Sequence, residues 1–104
     1  MKKKVIAVFD IGRTNKKFFL FDKNFKEVHK EYISFDEIVD EDGFPTENLF
    51  ALQEWLKDVF DRILENKEFN VKAINFSTYG ASFVHIDENG KPLTPLYNYL
   101  KPLD

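Results

Sequence analysis

A polar stretch between two apolar runs constrains this chain more than any other feature of its sequence. The apolar runs, Val5–Phe9 and Lys17–Phe21, are rich in β-branched and aromatic residues after their first position. Runs of this kind are typical of buried strands, and residues 10–16 between them, almost all polar or flexible, indicate a loop with a function. The chain therefore begins with two strands that can pair antiparallel across that loop.

The residue types in this loop suit phosphate and a metal ion. Asp10 could hold Mg²⁺ through water, because Mg²⁺ keeps several of its waters. Gly12 allows close backbone approach, while Thr14 and backbone N–H groups can donate to phosphate oxygens. Two lysines, Lys16 and Lys17, supply positive charge. The alternative is a plain polar hairpin loop whose charged side chains face the solvent.

The composition of the chain limits the classes of partner and the cellular compartment that we expect for it. With 104 residues, 43% hydrophobic and 32% charged, the chain fits one globular domain. The net charge of −3 gives no basic footprint, so we expect no nucleic acid partner. The absence of cysteine excludes a disulfide framework and is compatible with a reducing cytoplasm, where we expect the protein. The five-residue apolar run after Lys2–Lys4 is too short to cross a membrane, so no membrane partner is expected.

A third strand and a surface connection follow. In residues 26–33, Val28, Lys30 and Tyr32 alternate with Glu27, His29 and Glu31, which predicts an exposed strand at a sheet edge. Residues 34–44 are acidic and contain few bulky apolar residues, so we expect a surface connection. The alternative with a specific function is a calcium-binding loop, but residues 34–44 lack the D-x-D-x-D-G spacing of such loops.

One long helix is predicted next, with Thr46 as its N-cap and Glu47 in its first turn. It should end near residues 66–67. Apolar residues recur at three- and four-residue steps, which indicates a buried stripe. Three further apolar residues widen the stripe and predict a helix covered on more than one side: Phe50, Trp55 and Leu64.

The chain then returns to the sheet. Residues 71–76 predict a fourth strand, and the helix before it favours a parallel strand through a right-handed crossover. Polar residues 77–80 follow at its carboxyl end, where open α/β sheets bind their ligands. Residues 83–86 predict a fifth strand, and residues 87–90 predict a tight turn that returns residues 92–97 beside it.

The order of three meandering strands, a helix and a parallel strand resembles the first half of the ribonuclease H-like, actin-type ATPase fold. Residues 10–17 resemble the first phosphate motif of the FGGY carbohydrate kinases: an aspartate, any residue, glycine, small or hydroxyl residues, and a basic residue. Residues 74–95 resemble that family's sugar-side segment, in which a glycine-containing cluster and an apolar strand precede Asp-x-x-Gly-x-x-x-x-Pro. The form of this segment is most similar to the rhamnulokinase-like branch.

This resemblance implies an α/β fold and ATP-dependent transfer of a phosphoryl group to a hydroxyl of a sugar, a ketose or polyol, with Mg²⁺. It implies Asp10 as the metal site. The implied ATP phosphate-binding residues are Gly12, Arg13, Thr14, Asn15 and Lys17, and the implied sugar-binding residues are Thr78, Tyr79 and Gly80. Lys16 is the weaker candidate, because strand side chains alternate and it would point away from Lys17. Simple packing is the alternative for Tyr79.

Three departures from the family pattern bear on these roles. Arg13 stands where many members have a small residue, and its guanidinium either binds phosphate or lies exposed in the loop. Ser82 stands where rhamnulokinase-like members tend to have an acid, which affects the identity of the sugar. Residues 97–100 replace a frequent tryptophan and Asp-x-Arg ending.

The resemblance also implies what the chain lacks. The family uses an aspartate base from a later segment and binds adenosine in a second domain, and no residue here matches either. We therefore expect residues 1–104 to be the N-terminal part of the first ATPase domain, inactive alone and prone to self-association as a homo-oligomer through apolar surface. The alternatives are a non-catalytic binding or scaffold module, and another enzyme of the superfold such as an acyl-phosphate kinase or an activator ATPase. The turn and return at residues 87–95 argue against the last.

Overall fold

The main sheet of the protein has the strand order β3-β2-β1-β6. The computed structural model describes residues 2–80 and 82–97, so residues 98–100 of the segment that departs from the family's ending lie outside the described residues. The strands are β1 (Lys3–Ile11), β2 (Asn15–Phe21), β3 (Glu27–Ser34), β4 (Ile38–Val39), β5 (Pro45–Thr46) and β6 (Phe69–Thr78), and the helix is α1 (Leu49–Glu65). As predicted, β1, β2 and β3 form an antiparallel meander and β6 is a parallel strand; its partner in the sheet is β1.

One face of the sheet packs against α1. Every second residue of β1 and β2 is buried there, where the side chains of the core are Val5, Ala7, Phe9, Ile11, Phe18 and Leu20. The opposite face, which carries Ile6 and Val8, is only half-buried in the described part of the chain. Only one face of β1 is therefore covered by the described residues, although its apolar run is continuous. β1 also extends to Ile11, so Asp10 lies within the strand.

The helix begins later than predicted. Its N-cap is Asn48, whose side-chain oxygen accepts a hydrogen bond from the Ala51 N–H at 3.1 Å. Thr46 lies instead in β5, fully buried, and its hydroxyl donates to the carbonyl of Leu96. Thr46 was a plausible cap by residue type, but its hydroxyl has a tertiary partner that the local sequence does not reveal.

The helix is buried on one side only. The sheet covers Leu52, Trp55, Val59 and Ile63. Phe50 is 72% exposed and Leu64 is 63% exposed, so the prediction that these two residues widen the buried stripe is wrong. Both lie outside the arc of the helix that faces the sheet. No helix in residues 2–80 and 82–97 is long and apolar enough to cross a membrane.

The segments on either side of the helix also differ from expectation. The predicted surface connection of residues 34–44 contains β4, which pairs with β5 across a turn that begins at the buried Asp40. Residues 83–86 do not form the predicted fifth strand: an isolated bridge joins Ile86 to Pro92. The turn at residues 87–90 is present, with the Gly90 N–H donating to the Asp87 carbonyl at 3.0 Å. Too few bridges form there to make a ladder.

Candidate functional site

The candidate phosphate loop is shorter than the polar stretch suggested. β1 ends at Ile11 and β2 begins at Asn15, which leaves residues 12–14 as the connection. The Gly12 N–H donates to the Asn15 carbonyl at 2.9 Å, and a Cβ atom at Gly12 would lie 2.8 Å from that same oxygen. A side chain at position 12 would therefore force the backbone apart, and the tight turn needs glycine.

Asp10 and Lys17 face each other across two antiparallel strands. They are directly paired in the β1–β2 register, on the face of the sheet away from α1. Both side chains are half-exposed, and neither makes a hydrogen bond or an ion pair with another of the described residues. The structure thus brings the predicted metal residue and the predicted phosphate lysine together at the loop end of the sheet.

Lys16 points in the opposite direction, as strand alternation predicts. Its side chain is 1% exposed, on the same face of β2 as the buried Phe18. The Lys16 Nζ atom lies 2.6 Å from Oε1 of Glu47 and donates to the Arg13 carbonyl at 3.0 Å. Its positive charge is therefore matched by a buried carboxylate inside the protein.

The remaining loop residues lie at the surface. Arg13 is half-exposed, and its guanidinium forms an ion pair with Glu37 at 3.6 Å. Thr14 and Asn15 are exposed. Exposed loop side chains of this kind are able to reach a bound anion, whereas Arg13 would have to exchange Glu37 for a phosphate group.

The predicted sugar-side residues lie beside this loop. Thr78 ends β6 and pairs with Ile11, and the Tyr79 N–H donates to the Ile11 carbonyl at 3.3 Å. A Cβ atom at Gly80 would meet no other described atom within 4 Å, so Gly80 leaves open space. Two segments that are distant in sequence therefore meet at one end of the sheet.

The Tyr79 hydroxyl is held from the helix side. It donates to Oε2 of Glu47 at 2.9 Å. Partial burial, together with the neighbouring Glu47 carboxylate, raises the pKa of the Tyr79 hydroxyl above its ordinary value. The phenol therefore stays protonated and continues to donate at neutral pH.

Glu47 is the residue that the sequence interpretation missed. It was placed in the first helical turn for its interaction with the helix dipole, but it precedes the N-cap and is buried between two partners. One sequence signal pointed to it: Lys16 occupies a buried position in the alternation that continues with Phe18 and Leu20. A buried cation needs a carboxylate partner, although sequence alone does not say which one.

The donor set fits a magnesium ion held mainly through water. Residues 2–80 and 82–97 contain no group of three or more histidine, aspartate or glutamate side chains that could enclose a metal ion. Asp10 supplies one carboxylate without a protein partner among those residues, and Mg²⁺ is commonly bound by one or two carboxylates with waters.

The fold and this site define a class. A three-stranded antiparallel meander, a helix and a parallel strand next to β1 form the strand order of an actin-like ATPase half-domain. Residues 5–100 match the sequence profile described as "FGGY family of carbohydrate kinases, N-terminal domain", so the chain belongs to this family. No protein with a curated description matches the sequence significantly.

Three solved structures share the fold. Gluconate kinase from Lactobacillus acidophilus superposes with a TM-score of 0.73 at 23% identity, over 91% of this chain and 19% of that one. Ligand-bound xylulose kinase from the same organism superposes with a TM-score of 0.72 at 23% identity, over 89% of this chain and 19% of the kinase. Plasmodium falciparum glycerol kinase with ADP superposes with a TM-score of 0.64 at 21% identity, over 91% of this chain and 20% of the kinase. The chain thus spans about a fifth of the length of these kinases.

Proposed function

We propose that the whole protein containing this chain transfers the γ-phosphoryl group of ATP to a hydroxyl of a ketose or polyol, with Mg²⁺. The observation that carries the proposal is the meeting of two motifs at one end of the sheet. Asp10 is paired with Lys17 on β2 and with Ser77 on β6, directly before Thr78 and Tyr79. A phosphate donor and a sugar acceptor must approach each other closely, and this arrangement puts their candidate sites side by side.

On the phosphate side, each residue has a role in positioning and in neutralising charge. Asp10 would hold Mg²⁺ through water, and Lys17 would contribute positive charge on the same face. Backbone and side-chain donors of Gly12, Thr14 and Asn15 would contact phosphate oxygens. When bound, Mg²⁺ neutralises the charge that develops on the transferred group.

On the sugar side, Thr78 would donate or accept a hydrogen bond, and Gly80 would leave room for the ligand. Because the Tyr79 hydroxyl is bonded to Glu47, this residue would offer its ring face to the sugar. The general base and the adenosine pocket would come from the remainder of the protein, and the isolated chain would be inactive.

The test is phosphoryl transfer by the whole protein, assayed with ATP and Mg²⁺ against a panel of ketoses and polyols. Asp10→Asn should abolish turnover, and Lys17→Met should lower kcat/KM by about 100-fold or more, the size expected for losing one charge-stabilising donor. Lys30→Met is the matched control, because Lys30 lies on the neighbouring strand over Phe19, two ladder positions from Lys17.

Two results would count against the proposal. Turnover that survives Asp10→Asn would remove the metal assignment. A folded whole protein that phosphorylates no sugar in the panel would favour the alternative of a non-catalytic binding module.

A further inference from the structure

Glu47 is a buried carboxylate that contacts both candidate motifs at once. Its two oxygens have different partners: Oε1 lies 2.6 Å from Lys16 Nζ, and Oε2 accepts the Tyr79 hydroxyl at 2.9 Å. Lys16 continues the connection by donating to the Arg13 carbonyl at 3.0 Å. The result is an unbroken polar chain from the backbone of the phosphate loop to the side chain of Tyr79.

Stability alone does not explain a charged pair in this position. Burying an ion pair removes two charges from water, and an apolar pair of similar volume is often as stable or more so. The other buried side chains of β2, Phe18 and Leu20, are apolar and pack in the core. An apolar residue at position 16 would continue that packing, so the pair Lys16–Glu47 points to a role in positioning.

The two ends of the polar chain are held at separate points. Lys16 restrains the loop through the Arg13 carbonyl, and Glu47 restrains Tyr79 through its hydroxyl. Glu47 itself is held in place by its position between the buried Thr46 and the N-cap of α1. A ligand that restrains one end therefore also restrains the other end through Glu47, which reduces the entropy that the second site loses when it binds its ligand.

We propose that Glu47 is a positioning residue that couples the phosphate loop to the sugar-side segment, so that a ligand at one site strengthens binding at the other. The coupling rests on the proposed kinase function. By thermodynamic linkage it acts equally in both directions: the sugar raises the affinity for the nucleotide as much as the nucleotide raises the affinity for the sugar.

The first experiment needs no ligand and is done on the whole protein. Amide hydrogen exchange is followed at Gly12, whose N–H bonds to Asn15, and at Tyr79, whose N–H bonds to Ile11. Tyr79→Phe removes the hydroxyl that donates to Glu47, and Lys16→Met/Glu47→Leu replaces the charged pair with apolar groups. In both variants these two amides should exchange at least about fivefold faster than in the wild type, a factor that corresponds to the lower end of typical coupling free energies. The amide of Val59, in the helix, should exchange at the wild-type rate. Unchanged exchange at Gly12 in both variants would overturn the proposal.

The second experiment measures the coupling itself. The dissociation constant of the sugar that the enzyme turns over is measured with and without a non-hydrolysable ATP analogue. The dissociation constant of the analogue is then measured with and without the sugar. The wild-type protein should show at least about a fivefold mutual increase in affinity, and the Lys16→Met/Glu47→Leu protein none. Equal coupling in the two proteins would overturn the proposal while leaving the kinase function intact. If no sugar is phosphorylated, the kinase function fails, and the exchange experiment still decides whether Glu47 joins the two segments.

Discussion

Phe25 and Gly90 occupy the same position in two turns that have the same hydrogen bonds. In each turn one carboxylate oxygen, of Asp22 or Asp87, accepts two backbone N–H groups at 2.8 to 3.0 Å. The residue three places on has a positive φ of 62° at Phe25 and 79° at Gly90. A third turn of this kind has Gly43 at 81°. Two of the three turns use the residue type that adopts this conformation without strain.

Phe25→Gly should therefore stabilise the protein. The left-handed conformation costs a residue with a Cβ atom about 1–2 kcal/mol, and the Phe25 side chain is 79% exposed, so little packing is lost. After the greater freedom of glycine in the unfolded chain is subtracted, we expect a gain of about 0.5–1 kcal/mol in the free energy of unfolding. Urea denaturation measures it. Gly90→Ala is the opposite change and should lower the free energy of unfolding by about 1 kcal/mol. A Phe25→Gly protein that is less stable than the wild type would contradict the argument that Phe25 is strained.

Gly12→Ala should disturb the phosphate loop. The new Cβ atom would lie 2.8 Å from the Asn15 carbonyl oxygen, which forces the backbone to shift at a cost of about 1–3 kcal/mol. Gly80→Ala is the comparison, because its Cβ atom would meet no other described atom within 4 Å. Its free energy of unfolding should change by less than about 0.5 kcal/mol. Equal losses in the two variants, by chemical denaturation, would show that the close contact at Gly12 is not the cause.

The ion pair between Arg62 and Glu31 should make stability depend on pH. Two parallel bonds of 2.6 and 2.9 Å join the helix to the edge strand. They are the main reason that the pKa of Glu31 lies below its ordinary value. A lowered folded-state pKa stabilises the protein above the unfolded value, near 4.5, and this contribution disappears as the pH falls through the folded value.

Arg62→Met should accordingly lower the free energy of unfolding by about 1 kcal/mol at pH 7, since the pair is partly exposed. The difference from the wild type should shrink as the pH falls below about 4. Asp58→Asn is the control, because it removes only the exposed pair within the helix and should change stability by a few tenths of a kcal/mol. A difference for Arg62→Met that is constant from pH 7 to pH 3 would exclude Glu31 as its source.

Trp55→Ala and Phe50→Ala should separate the two sides of the helix. Trp55 is 8% exposed and contacts the ring of Phe9 edge-on, with ring centroids 5.9 Å apart. Its truncation should cost about 3–5 kcal/mol in the free energy of unfolding. Phe50→Ala, on the exposed side of the same helix, should change it by less than about 0.5 kcal/mol. A large loss for Phe50→Ala would show that this side is covered in the whole protein.

Periodicity in the sequence predicted the elements and their pairing. The apolar runs predicted two antiparallel strands, and the helix predicted that the next strand returns to the sheet as a parallel strand. Alternation along β2 also predicted that Lys16 and Lys17 point to opposite faces. The hairpin and the alternation depend on residues close together in the chain, where local geometry dictates which face each side chain takes. The parallel return follows from the general rule for crossover connections.

The errors arose where a residue has a distant partner. Thr46 has the chemistry of an N-cap, but its hydroxyl bonds to the Leu96 carbonyl, and Asn48 caps the helix. Residues 83–86 have the composition of a strand, yet they form a single bridge at Ile86. At Thr46 a tertiary contact overrode the local preference, whereas residues 83–86 form too few bridges with their neighbours to make a strand.

At the loop that joins β1 to β2, the sequence by itself determined the residue types and their faces. Lys16 and Lys17 had to take opposite faces of β2, because strand side chains alternate, whereas Asp10 faces Lys17 because β1 extends to Ile11. The tertiary structure decided which carboxylate meets Lys16. Only packing of α1 on the sheet brings Glu47 between Lys16 and Tyr79, and a buried charge takes the partner that the fold places beside it.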